Sequence, residues 1–206
     1  MRGFWIGLFA ATLGLGATAS AATLSDAKVG FSADRTLVIN GKTYLGKMWT
    51  MPGMERHEQD LNGIPAAFVF RADTPIGDAV LPQLHTVVQF VIPAELRVLA
   101  ASRLTRHPVG HETINGIATT KYDVDETVPE GHGVGAVWIS ADGIPMKLAG
   151  SFTKPNEKVV NLRWELSHVK LGPQPGSLFE RPPGFSKLPA EAIAPLLGLK
   201  LKSAHQ

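Results

Sequence analysis

The sequence predicts a mainly β protein: a single curled antiparallel sheet, an incomplete half-open β-barrel, with a few short helices covering its concave face. Three observations lead there. Val160, Leu162, Trp164 and Leu166 alternate with Asn161, Arg163, Glu165 and Ser167, and period two over that length is a strand with one apolar and one wet face. Just before it, Val137-Trp138-Ile139-Ser140 runs into Ala141-Asp142-Gly143 and resumes as Ile144, Met146 and Leu148, a hairpin through a turn whose residues tolerate positive φ. The rest of the chain repeats this grammar, with about ten strand-like segments joined by short turns, which argues for one meandering antiparallel sheet.

The chain opens Met1-Arg2-Gly3, continues without charge over residues 4–15, and ends that stretch in Ala17-Thr18-Ala19-Ser20-Ala21-Ala22. A basic start, an apolar run and a small-residue site describe a secretory signal peptide over residues 1–21, cleaved after Ala21 or Ala22. The run falls short of the roughly 18 apolar residues a membrane helix needs, and no other segment is long and apolar enough, so no integral membrane span is expected in the mature chain. The sequence has no cysteine, so neither disulfide nor acylated cysteine is available. Residues 22–188 must then build their own hydrophobic core as one domain, with residues 189–206 left as a C-terminal helix or tail. Lys plus Arg number 20 against 18 for Asp plus Glu, without a basic cluster, which argues against nucleic acid as a partner. A cysteine-free secreted chain fits a bacterial periplasm.

In chain order, the pattern predicts strands at 31–39 and 42–51 around Asn40-Gly41, then at 54–60 and 66–71 around Asn62-Gly63, each Asn-Gly being a strong hairpin signal. Residues 71–84, with Pro75, Gly77 and Pro82, read as a connection with one helical turn that serves as a lid. Residues 85–92 resume as strand. Residues 95–104 carry helical spacing at Leu96, Leu99 and Arg103, yet their neighbours favour a strand. A further hairpin spans residues 107–124 around Asn115-Gly116, and 126–133 read as a polar loop. After the strand ending at Leu171, Ser177 is expected to cap a single turn, residues 182–185 to be extended, and residues 189–199 to form a terminal helix interrupted by Pro195.

Three stretches carry a family resemblance: Gly110-His111-Glu112-Thr113-Ile114-Asn115-Gly116 with the strand after it, Val137 to Lys147 around Asp142-Gly143, and Leu178-Phe179-Glu180-Arg181-Pro182-Pro183-Gly184-Phe185-Ser186-Lys187-Leu188. Together they resemble bacterial envelope proteins with the lipoprotein-carrier fold: periplasmic lipoprotein carriers, outer-membrane lipoprotein-sorting (LolA/LolB-like) proteins and a related group without an assigned function. The chain is more similar to that last group, because no long amphipathic helix pattern lies between Asp26 and Leu84. The resemblance implies an incomplete antiparallel barrel whose apolar concave face is lined or plugged by helices, and which in the carriers shields an acyl chain.

Catalytic motifs do not emerge. Neither a Gly-x-Ser-x-Gly elbow, a P-loop nor a His-Glu-x-x-His zinc helix is present, and Asp123, Asp125 and Glu126 read as a solvated face. His107 and His111, with Glu112 and His132, invite a metal reading, but Pro108 and Gly110 exclude a helix there, and four residues along a strand span roughly 13 Å. Neither metal nor cofactor is expected, and the chain reads as a non-enzyme. The apolar inventory points elsewhere: Met48, Trp49, Met51, Met54, Phe68, Phe70, Phe90, Trp138, Met146, Phe152 and Trp164 give the sheet a Met- and aromatic-rich core, and methionine adapts to varied apolar partners. The expected cavity contacts are Phe68, Phe70, Phe90, Met146, Leu148, Leu162 and Trp164. They describe a soluble periplasmic binding protein that holds a lipid or lipoprotein acyl chain, in lipoprotein or lipid sorting. The alternative is a non-enzymatic envelope protein with a fully packed core, whose partner is another envelope protein bound at an edge strand or loop.

Overall fold

A computed structural model of the chain describes residues 27–61, 63–92, 107–129, 131–155 and 157–189. They form one mostly antiparallel sheet of twelve strands that does not close. Two meanders build it. In the first, β1 (Phe31–Ile39), β2 (Lys42–Met51), β3 (Met54–Leu61), β4 (Ile64–Arg71), β5 (Ile76–Leu81) and β6 (Thr86–Val91) follow one another outward. In the second, β7 (His107–Ile114), β8 (Ile117–Val128), β9 (Gly131–Ser140), β10 (Pro145–Thr153) and β11 (Val160–Leu171) run inward until β11 pairs with β1. The short β12 (Ser186–Pro189) lies parallel to β6 on the far edge. The expected signal peptide, the 95–104 segment, Asn62 and the terminal helix beyond Pro189 lie outside the described residues. Among the described residues no helix is long and apolar enough to cross a membrane.

The turns follow from residue type. Asn40-Gly41 and Asn115-Gly116 both take positive φ, at 49° and 82° and at 48° and 82°, the geometry that lets a two-residue turn match strand twist. The seam between the meanders is less regular. Ser32 pairs with Lys170 but Asp34 with Ser167, so β11 carries one extra residue there, with His168 in the left-handed region at φ 50° and its Nδ1 2.9 Å from Asp34 Oδ2. Such a bulge bends the strand and raises local twist, and it stands where the sheet turns from one wing to the other.

The curl can be read from side-chain contacts. β3 and β11 are three strands apart, about 14 Å in a flat sheet, yet the His57 and Trp164 rings lie 5.6 Å apart. Likewise Asn115, at the β7–β8 tip, donates from Nδ2 to the Leu166 carbonyl at 2.7 Å, again across three strands. Both wings therefore fold toward one concave side, and the main core lies there.

Several sequence expectations need correction. The helices over the concave face are not found: among the described residues there is no α-helix, only 3-10 turns at Pro82–Leu84 and Gly176–Phe179. The second packs on the outer face, where Phe179 joins Ala67, Val69, Val80 and Val87. Residues 76–81 are strand β5 rather than a lid. Their five consecutive buried residues hide the alternation, because the core covers one face and the C-terminal segment the other. The 126–133 loop shrinks, since β8 continues to Val128 and β9 begins at Gly131, with Thr127 opposite His132. Ser177 does not cap its turn, which starts from Pro175 without a side-chain cap. Pro183-Gly184 forms a turn where extended chain was expected, Gly184 having φ 80°, and it delivers residues 186–189 to β6.

Candidate functional site

All seven predicted contacts converge in the concave core. Phe68 and Phe70 come from β4, Phe90 from β6, Met146 and Leu148 from β10, Leu162 and Trp164 from β11, and none is more than 8% exposed. The register explains it. Trp164 stands opposite both Leu37 of β1 and Leu148 of β10, so all three share a face. Phe90 stands opposite Gly77, where a Cβ would come within 2.6 Å of the Phe90 ring. The glycine lets that ring lie over β5 and reach Phe68 and Phe70, both in edge-on contacts at 5.9 and 6.0 Å. The wider inventory divides. Met48 joins the concave core, Trp49, Met51 and Met54 pack against the outer cluster, and Phe152 forms a separate contact with Val128.

In the middle of this apolar face lies a polar group that the periodicity did not reveal. Arg35 of β1, 5% exposed, stands opposite Gly46 of β2. A side chain at Gly46 would collide with the Glu58 carbonyl of β3 and stand 3.2 Å from Arg35 Nη2, so the glycine serves both the close approach of β3 and the guanidinium that crosses β2 to reach it. There Nη1 lies 3.2 Å from His57 Nδ1, and Nη2 donates to Gln59 Oε1. On its other side, His57 Nε2 lies 3.1 Å from Glu55 Oε2. Arginine can only donate, so Nδ1 accepts and Nε2–H donates to Glu55 Oε2, which fixes the tautomer. Burial, reinforced by the Arg35 charge, holds the His57 pKa well below the ordinary imidazole value. His57 is therefore neutral, held between the Arg35 guanidinium and the Glu55 side chain. Burial also lowers Arg35, to about 10, which leaves it charged at neutral pH. Alternation explains why these residues were missed: Arg35 and His57 occupy inward positions between Ala33 and Leu37 and beside Met48, positions that a periodicity count assigns to apolar residues.

An open groove of about 780 Å³ lies on the second wing. Its lining includes His111, Glu112 and Thr113 of β7, Thr119, Thr120 and Tyr122 of β8, Ile139 and Ser140 of β9, and Lys28. None of the seven predicted contacts lines it. Glu112 is occupied, accepting from Trp138 Nε1 and facing Lys147 Nζ at 3.5 Å, while Lys147 sits 4.3 Å from the Trp138 ring centroid. His107 and His111 lie exposed on β7, and His132 pairs with Asp125 at 2.7 Å. The concave face, with a buried guanidinium bound to an imidazole that meets two aromatic rings, is the more specific arrangement of the two.

Neither a family model nor a curated protein matches the chain. Its fold is similar to solved structures at low identity. One is in the MucA/MucB complex of Pseudomonas aeruginosa, with 14% identity and a TM-score of 0.47 over 77% of this chain and 58% of that one. A conserved protein of Thermus thermophilus gives 12% and 0.49 over 78% and 90%. A LolA-superfamily protein of Nitrosomonas europaea gives 9% and 0.42 over 74% and 90%. The chain thus covers less than two thirds of the length of the chain it matches in the Pseudomonas complex.

Proposed function

We propose that this chain is a non-catalytic periplasmic binding protein that shelters an acyl chain, of a lipid or a lipoprotein, against the concave face of its curled sheet. One observation carries the reading: seven large apolar side chains from both meanders converge on one face of a sheet whose two outer edges, β12 and β7, are not paired with each other. Separating the wings to admit a chain would break contacts between side chains while leaving the strand ladders intact. Each methylene sheltered would contribute about 0.8 kcal/mol. Phe68, Phe70, Phe90, Met146, Leu148, Leu162 and Trp164 are the proposed contacts, with Met146 adapting to the ligand's shape.

A second reading rests on the closeness of the packing. With all seven contacts at 8% exposure or less, the same face serves equally as the filled core of an envelope interaction protein, which would bind a protein partner elsewhere on its surface. Native mass spectrometry of the gently purified protein, with organic extraction of what accompanies it, separates the two. An adduct with the mass of a fatty acid or phospholipid supports the first. A bare protein whose Tm is unmoved by added lipid sinks it and leaves the packed interaction protein.

A further inference from the structure

We infer that the acyl ligand proposed above is a carboxylate amphiphile, a fatty acid whose head is met by the Arg35 guanidinium at the floor of the concave face. The inference rests on the binding reading and adds a ligand class to it.

Arg35 carries five N–H donors. Two are used, toward His57 Nδ1 and Gln59 Oε1, and both acceptors are neutral, since His57 is uncharged. Arg35 Nε is buried without a hydrogen-bond partner. A guanidinium almost wholly removed from water, whose direct partners are both neutral, retains most of its attraction for an anion, and its planar fork matches a carboxylate in a way an ammonium does not. Its seat is built by the sequence: Gly46 lets the Glu58 carbonyl and the guanidinium both close in over β2, and His57, held between Glu55 and Arg35, turns its ring edge-on toward Phe70 and Trp164, at 5.3 and 5.6 Å. The charge therefore stands one imidazole away from two of the aromatic residues proposed to line the chain. Head and tail requirements meet at one place. A single guanidinium balances a single negative charge.

The test compares dodecanoate with dodecanol and methyl dodecanoate on the purified full-length protein at pH 7.5. Binding is read by calorimetry and by the fluorescence of the tryptophans, of which Trp164 adjoins His57. Dodecanoate should bind more tightly than the two neutral ligands by on the order of tenfold or more, as for a buried charge-assisted hydrogen bond. Arg35→Gln should reduce that preference to about unity, whereas Arg35→Lys, which keeps the charge and loses the fork, should retain part of it. Equal affinity for acid, alcohol and ester in the unmutated protein would overturn the inference and leave the acyl-binding reading standing. A preference that survives in Arg35→Gln would also overturn it. Should that variant fail to fold, the three-ligand comparison in the unmutated protein and in Arg35→Lys decides. Binding of none of the three removes the acyl-binding reading, and this inference with it.

Discussion

The two meanders share a connectivity but differ in what covers them. In the first wing β4 has five consecutive buried residues, 66–70, and β5 likewise, 77–81. In the second, β7 buries only Ile114 of its eight residues. The cause is the C-terminal segment, which folds back over the outer face of the first wing alone. Phe179 fills the cluster of Ala67, Val69, Val80 and Val87. Arg56 Nη1 donates to the Leu178 carbonyl at 3.0 Å, and Arg71 Nη2 to that of Phe179 at 2.8 Å. Arg71 also meets Asp78 at 2.8 Å, which anchors the turn to β4 and β5 together. Register follows the same division. Pairings within the first wing run without a shift, while the second has shifts at Pro145/Lys147 and Pro108/Gly110. A wing buried on both faces has its register fixed twice over; a wing wet on one face tolerates bulges.

Unseating the C-terminal segment should break this contrast most strongly. Phe179→Ala removes a ring that is 1% exposed and leaves a cavity against β4 to β6, for an expected loss of about 3–5 kcal/mol in chemical denaturation. A loss under about 1 kcal/mol would mean that the segment does not hold the first wing.

The next effect comes from the buried imidazole. The folded-state pKa of His57 is depressed, so below the unfolded value of about 6.5 the unfolded chain binds a proton that the folded chain refuses. Stability is therefore complete above that pH and declines as pH falls through it, with a limiting slope of about 1.4 kcal/mol per pH unit from this one group. Denaturation of the natural protein and of His57→Gln between pH 7 and pH 5 should show the unmutated protein losing more. Parallel profiles would show that the histidine accepts a proton without opening the core.

The smallest effect sharpens the contrast from the other side. Val109 on β7 is 49% exposed, and Val109→Ser should change stability by less than about 0.5 kcal/mol. A larger loss would show that β7 is covered in solution.

Local chemistry made most strands legible. β1 and β2 appear at the bounds that Asn40-Gly41 and Pro52-Gly53 dictate, and β11 where Trp164 and its neighbours alternate. The inward positions of Phe90, Met146, Leu148, Leu162 and Trp164 were legible for the same reason, since a more exposed residue stands beside each of them, whereas Phe68 and Phe70 lie on a strand buried on both faces and stood out by ring size alone. β5 was misread because Ile76-Gly77-Asp78-Ala79-Val80-Leu81, covered on both sides, shows no such contrast, and because Pro75 and Pro82 resemble loop punctuation when they bound a short strand. β12 was missed because Ser186-Lys187-Leu188-Pro189 is wholly exposed and pairs with a strand a hundred residues away in sequence.

By itself, then, the sequence determined the sheet, its hairpins and the apolar character of one face, because turn residues and period-two alternation are properties of neighbours along the chain. Only the tertiary structure decided that the sheet curls until His57 meets Trp164, that the C-terminal segment covers the outer face, and that Arg35 reaches across Gly46 to β3. Each of these depends on which strands become neighbours in space, and a strand's own residues carry almost no record of the partner three strands away that will bury them.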